Sequence, residues 1–252
     1  MIKINNLFNN DNIKIISELE GFQVLEHQQD LSVDYVTASN EYFASKMNVK
    51  KRQLLINLKN DAYTVQAGSM QWMAGNVKAT SGIKGVGDFF GKALKSKVTN
   101  ESAVKPEYQG TGYLMLEPTY KHIILFNVQD WQTMVLEDGL FLACAASVNQ
   151  KIVARSNLSS AALGNEGFFN LALTGTGVVA IESCAPLEEL IEFELNDDEL
   201  RIDGNMAIAW SGSLQFTVEK SGKSLLGSAV SGEGLVNVFR GTGRVLMAPV
   251  TK

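Results

Sequence analysis

The chain is short of the residues that most often carry chemistry. It has 2 histidines, His27 and His122, which excludes a metal centre built on three imidazoles from one chain. Its 2 cysteines, Cys144 and Cys184, stand in apolar or small-residue surroundings and form no Cys-x-x-Cys pair. They read as buried thiols of a reducing compartment, not as a redox or zinc motif. No Gly-x-Ser-x-Gly elbow, no paired Cys and His and no clustered acid and base occur, so no catalytic residue, cofactor or metal is assigned and the sequence reads as that of a non-enzyme. Charged residues make up only 19% of the chain and the net charge is -5. An acidic chain has no global attraction for phosphate backbones, which makes nucleic acid a poor partner. No stretch approaches the ~18 apolar residues of a membrane span, and the Asn-rich start lacks the features of a signal peptide. The expectation is a cytoplasmic protein without a transmembrane segment, whose peripheral membrane contact is left open.

Prolines number 4, and none interrupts a proposed central strand. Hydrophobic residues, by contrast, make up 45% of 252 positions, enough for a large core in one domain. The tripeptide Gly-Thr-Gly occurs at Gly110-Thr111-Gly112, Gly175-Thr176-Gly177 and Gly241-Thr242-Gly243, each time before a short apolar strand, and its first glycines lie 65 and 66 residues apart. A glutamate in a turn-like context precedes each copy: Glu101, Glu166 and Glu233. Further upstream a glycine, Gly68, Gly139 or Gly204, enters an apolar segment. Three elements in constant order define a repeat. The units are placed at residues 42–118, 119–183 and 184–250 of a single β domain, with residues 1–41 as an N-terminal extension that adds edge strands.

Within each unit the pattern is that of strands. Leu54–Leu58, His122–Phe126 and Leu190–Leu195 are short apolar or alternating runs ended by turn formers such as Asn60-Asp61 and Asn196-Asp197. One such unit has open edges and too little core, so three are expected to pack about a pseudo-threefold axis. The fold class is therefore all-β, built from three repeated antiparallel β units, with few helices.

The first unit carries surplus residues. Between Gly82 and Lys97, Phe89, Phe90 and Leu94 fall on one helical stripe while Lys92 and Lys95 fall off it, which predicts a short amphipathic helix over 86–97. It is the candidate membrane or partner contact. Glu101, Glu166 and Glu233 would stand in equivalent places, either gathering a cation or, more simply, accepting hydrogen bonds from turn amides. Trp72 and Trp210 stand at matching strand positions, with Cys144 near the corresponding place, and read as core. Lys46, Lys50, Lys51 and Arg52 form a local basic cluster that reads as a solvated face.

Several of these pieces together resemble the altered inheritance of mitochondria twenty-four family. They are Gln66–Met73, the glycine-rich insertion from Gly82 to Lys97, Gly164-Asn165-Glu166-Gly167-Phe168-Phe169, and Ser231–Leu235 running on to Gly241–Leu246. The similarity covers about residues 45–250; Asn100-Glu101-Ser102 departs from the Gly-Glu-Ser turn of many relatives. The resemblance implies a fold related to the tryptophan RNA-binding attenuation protein, with β-sandwich packing and three units as a pseudo-trimer. It supplies no catalytic residues. A fungal relative is associated with organising the mitochondrial inner membrane, and bacterial members have no settled biochemical role. The functional expectation is a scaffold or interaction protein that self-associates or binds protein partners, with membrane-surface contact as one mode. The alternative is a small-molecule or RNA-binding module.

Overall fold

The computed structural model describes residues 2–80, 105–154, 169–220 and 235–250. Antiparallel strands dominate them. The N-terminal segment supplies β1 (Ile13–Leu19), β2 (Phe22–His27) and α1 (Ala38–Lys46). The long strands β3 (Arg52–Val65), β4 (Met70–Thr80) and β5 (Glu107–Leu116) follow. The middle third is cut more finely, into β6 (His122–Asn127), β7 (Thr133–Leu136), β8 (Phe141–Ala145), β9 (Val148–Ala154), β10 (Phe169–Gly175) and β11 (Val178–Ser183). Strands β12 (Ile191–Asp203), β13 (Ala207–Ser211), β14 (Gln215–Lys220) and β15 (Leu235–Met247) complete the chain.

The strands form two sheets. One runs β1-β2-β3-β8-β11-β6, with β5 also paired to β3 and β4 to β5; the other runs β12-β15-β13-β7-β10-β9, with β14 also paired to β15. The middle third is divided between them: β6, β8 and β11 lie in the first sheet, β7, β9 and β10 in the second. This division lets residues 122–183 tie the two sheets together. Between them lies a core that includes Ile124, Met134, Leu136, Cys144, Leu173, Val179 and Ile208.

Alternation explains why β3 is buried along Arg52–Leu55 and beyond. Leu54, Ile56 and Leu58 face one core with Phe22, Val24 and Leu114, while Leu55 faces another with Leu25 and Met115. A strand covered on both faces reads as a continuous apolar run because successive side chains point opposite ways.

The Gly-Thr-Gly triplets do not simply precede strands. Two lie inside β5 and β15, and the third separates β10 from β11. Gly110 and Gly112 have φ of 139° and 152°, and a Cβ on Gly112 would collide with the Ala74 carbonyl oxygen of β4. Only glycine allows that backbone shape and that approach of the neighbouring strand. Opposite this kink the register shifts between Lys59 and Asp61, where Asn60 has φ 62°; β12 shifts likewise between Leu195 and Asp198, with Asp197 at φ 53°. The expectation that Asn60-Asp61 and Asn196-Asp197 end their strands is thus corrected. They form bulges inside longer strands, because Asn and Asp tolerate the left-handed region at single positions. In the middle third a 3-10 turn, Val128–Trp131, takes the place of the bulge.

Helix α1 was not expected from the pattern, and none of its residues is buried. Local hydrogen bonds account for its start: the Asp34 carboxylate accepts from the N–H groups of Val36 at 2.7 Å and Thr37 at 3.1 Å. Asn48, at φ 64°, lies just beyond its end.

Candidate functional site

The residues singled out in the sequence as contacts, Phe89, Phe90, Lys92, Leu94 and Lys95, lie outside the described residues, as do Glu101, Glu166 and Glu233. The described residues bring other groups together.

The segment just before β3 combines an exposed apolar surface with a buried ionic anchor. Tyr35 is 93% exposed, Met47 78%, Leu31 73%, Val36 68% and Phe43 67%. Tyr42 and Phe43 stack edge to face on the helix itself, with ring centroids 5.4 Å apart, and Lys46 Nζ lies 5.1 Å from the Tyr42 ring centroid. Immediately beneath, Arg52 is 1% exposed and Glu26 7%. Arg52 Nε donates to Glu26 Oε2 at 3.0 Å, and Nη2 donates to Asn48 Oδ1 at 2.7 Å and to the Asn48 carbonyl at 3.0 Å. Lys50 Nζ closes on Glu26 Oε1 at 3.0 Å. Burial pushes the Glu26 carboxyl up, but the hydrogen bond from Lys50 and the charge of Arg52 together hold it below its ordinary value. The network ties the C-terminal end of the exposed segment to β2 and β3.

The expectation that the basic cluster is a solvated face holds for the exposed Lys46 and is corrected for Lys50, Lys51 and Arg52. Arg52 is core, Lys50 faces Glu26, and Lys51 Nζ faces Asp30 Oδ1 at 3.0 Å. Tyr120 donates to the other Asp30 oxygen at 2.9 Å, and these bonds hold the Asp30 carboxyl low against its partial desolvation. Cations engaged in this way offer little to a phosphate chain.

A cleft of about 1020 Å³ opens beside this segment, with Met47, Asn48 and Val49 on its wall. The middle and last thirds contribute Glu137, Asp138, Glu182, Asp203 and, from a 3-10 turn, Glu189, and Lys121 and His122 also line the cleft. Lys121 pairs with Glu182 at 2.9 Å, and the nearly buried Glu137 accepts from Asn170 Nδ2 at 3.2 Å. Cys184 donates its thiol proton to the Val250 carbonyl at 3.2 Å. Such a wall favours a positively charged group. Among the described residues no set of three or more His, Cys, Asp or Glu side chains is placed to hold a metal ion, and no helix is long and apolar enough to cross a membrane. The other thiol, Cys144, is fully buried, and desolvation pushes its pKa up to about 12.

The tryptophans also need correction. Trp72 pairs with Met115, three residues after Gly112, whereas Trp210 pairs with Val245, two residues after Gly243. One step along a strand reverses the face, so Trp210 packs in a core with Phe239 and Val245 while Trp72 packs beside Leu55 and Met115. Met73, paired with Leu114, is the residue in step with Trp210 and with Cys144, which pairs with Val179.

Sequence reading missed the cleft carboxylates because they come from separate parts of the chain. It could have found the exposed segment, since Tyr35-Val36 and Tyr42-Phe43 stand in an Asp, Asn and Ser context without strand or helix periodicity.

Comparison with known proteins agrees with this fold. The crystal structure of a Streptococcus pyogenes protein superposes with a TM-score of 0.60 at 24% identity, covering 81% of this chain and 90% of that one, a likeness of fold. An uncharacterized Streptococcus pyogenes protein is 29% identical over 189 residues, which is 72% of this chain and 74% of the relative. The family model described as Mitochondrial biogenesis AIM24 matches residues 44–250, and the chain belongs to that family.

Proposed function

We propose that the protein is a non-enzymatic scaffold or interaction protein that works through exposed apolar side chains. In this reading its three β units stand about a pseudo-threefold axis, as in the tryptophan RNA-binding attenuation protein fold. The common register of the strands around the Gly-Thr-Gly kinks supports that arrangement. Leu114, Val179 and Val245 each follow the last glycine by two residues and pair with Met73, Cys144 and Trp210.

The observation that carries the interaction reading is residues 31–49, where Leu31, Tyr35, Val36, Phe43 and Met47 are more than two-thirds exposed on a helix and flanks that bury nothing, above the anchor of Arg52 and Glu26. Contiguous exposed apolar side chains on a fixed support mark an interaction surface. Affinity purification of the full chain from its own cells, compared quantitatively with Phe43→Asp/Met47→Asp, tests this. Partners recovered with the parent and lost with the variant, at unchanged circular dichroism, are expected; equal recovery overturns the reading.

Membrane contact through Phe89, Phe90 and Leu94, with Lys92 and Lys95 toward lipid headgroups, is part of the same proposal. Its support is the amphipathic sequence pattern alone. Co-sedimentation with anionic vesicles tests it: binding that Phe89→Asp/Phe90→Asp abolishes is expected, and no binding by the parent removes the membrane part.

A small-molecule module is the second reading, favoured by the acidic cleft. It calls for a cationic ligand of modest size. An RNA-binding role has less support, since Lys50, Lys51 and Arg52 already face carboxylates.

A further inference from the structure

The exposed apolar surface of residues 31–49 does not end with the helix. Met47 and Val49, 78% and 42% exposed, carry it from the end of α1 onto the wall of the cleft, where Tyr120 and Val250, 47% and 46% exposed, continue it. The more buried Leu140, Met206 and Ile208 line the same cleft. Helix α1 stands close to this opening. The Tyr120 phenol is pushed up to about 12 by its hydrogen bond to Asp30, by burial and by the charges of Asp30 and Glu41, and Glu41 belongs to α1. A charge at the surface acts on its neighbour in this way only over a short distance. Helix and cleft are thus parts of one surface.

Where that surface is concave, its charge is mainly of one sign. Glu137, Asp138, Glu182, Glu189 and Asp203 line the cleft against Lys121 and His122, and Lys121 is taken up by Glu182 at 2.9 Å. Glu189, from the 3-10 turn Leu187–Glu189, and Asp203, at the end of β12, are exposed and enter no ion pair among the described residues. Apolar side chains therefore stand beside carboxylates that no cation of the described residues answers. A Lys or Arg side chain suits both, because its methylene stem packs on apolar surface while its charged head reaches a carboxylate.

Size and sign decide what kind of molecule brings such cations. Helix α1 has 9 residues, about 13 Å of helix, and the cleft of about 1020 Å³ beside it already matches the upper end of the ~300–1,000 Å³ of small-molecule sites. A small cation would occupy part of the cleft and leave Val36 and Phe43 bare. Anionic lipid headgroups and nucleic acid are repelled by the same carboxylates. A second copy can share Phe43 and Met47, but its net charge of -5 opposes entry to the cleft. A polypeptide segment with apolar side chains and Lys or Arg at helical spacing covers both parts at once, since residues three or four apart lie on one face.

We propose that the exposed face of residues 31–49 and the cleft beside it form one docking site for a basic amphipathic segment of a partner protein. The proposal rests on the interaction reading above and adds the chemistry of the partner. Apolar side chains of the segment lie on Phe43 and Met47, and its cations enter past Val49 and Tyr120 toward Glu189 and Asp203. The bonds of Arg52 to Glu26 and Asn48 hold the chain between the two parts in place. A surface fixed before binding loses little freedom when the partner arrives.

Selection from a display library of random peptides of about 16 residues on the full chain tests this. Enriched peptides should carry several Lys or Arg residues three or four positions from apolar ones. Made synthetically with a fluorescent label, they should bind the parent and lose at least about tenfold in affinity, by anisotropy, to Glu189→Lys/Asp203→Lys and also to Phe43→Asp/Met47→Asp, at unchanged circular dichroism. Loss with Phe43→Asp/Met47→Asp alone, or enrichment of peptides without a basic excess, overturns the proposal and leaves the interaction reading standing. Loss with the carboxylate pair alone, or with neither variant, overturns both. No enrichment overturns the proposal too, and spermidine binding to the same chain by calorimetry would then give the cleft to a small cation.

Discussion

Replacing Arg52 by methionine should unfold the protein more readily than any exposed-lysine change nearby. The guanidinium is 1% exposed and its bonds to Glu26 and Asn48 span 2.7–3.0 Å. Removing one partner of a buried ion pair costs roughly 3–5 kcal/mol, because the other charge is left in a poor solvent. Here Lys50 remains 3.0 Å from Glu26, so the carboxylate keeps one cation and the loss should fall to about 2–3 kcal/mol. The assay is urea unfolding followed by tryptophan fluorescence, with the midpoint compared at constant slope. Glu26→Gln in the same background should recover part of the loss, giving a coupling of at least about 1 kcal/mol in a double-mutant cycle. A loss under about 0.5 kcal/mol, the level of an ordinary surface substitution, would refute the reasoning that this cluster is buried structure and not a solvated basic face.

The same carboxylate has a pH signature. Its pKa in the folded chain lies below the ordinary glutamate value, so its contribution to stability is complete above that ordinary value and is lost as the pH falls through the lower folded one. The stability gap between the parent and Glu26→Gln should therefore be open at neutral pH and shrink in acid; a gap independent of pH would contradict it. At the kinks, Gly112→Ala meets the Ala74 carbonyl oxygen as well as an unfavourable φ, while Gly241→Ala, at φ 111°, meets nothing within 4 Å. The first should cost about 3 kcal/mol or more and the second about 1–2 kcal/mol, read as urea midpoints, and equal losses would deny the close strand approach. For the thiols, a disulfide reagent at pH 8 should label Cys184 in the native protein and leave Cys144 untouched until denaturant is added, since burial lifts the Cys144 pKa to about 12. Rapid labelling of both in the native state would show that the core around Cys144 opens.

The strands were legible in the sequence where alternation and glycine placement act locally. Leu54, Ile56 and Leu58 reveal the opening strand of the first segment, and the Gly-Thr-Gly spacing reveals where strands kink. What sequence could not supply depends on contacts across the chain. Whether Asn60 ends a strand or bulges inside it is decided by β5 lying opposite, with Gly110 and Gly112 bent to match. Trp72 and Trp210 look alike after their glycines, but one residue of register puts them in different cores. Arg52, next to Lys50 and Lys51, carries no sign of burial; Glu26, 26 residues away, supplies it. The cleft is assembled from residues as distant in sequence as Asn48 and Val250, which no local motif could announce.

Light scattering on the full chain at micromolar concentration, beside the Phe43→Asp/Met47→Asp variant, tests most directly whether this protein associates through the exposed apolar side chains of residues 31–49. A mass that rises with concentration above 27.5 kDa for the parent, and stays at one chain for the variant, is expected. A mass that stays at one chain for both proteins at every concentration would contradict it.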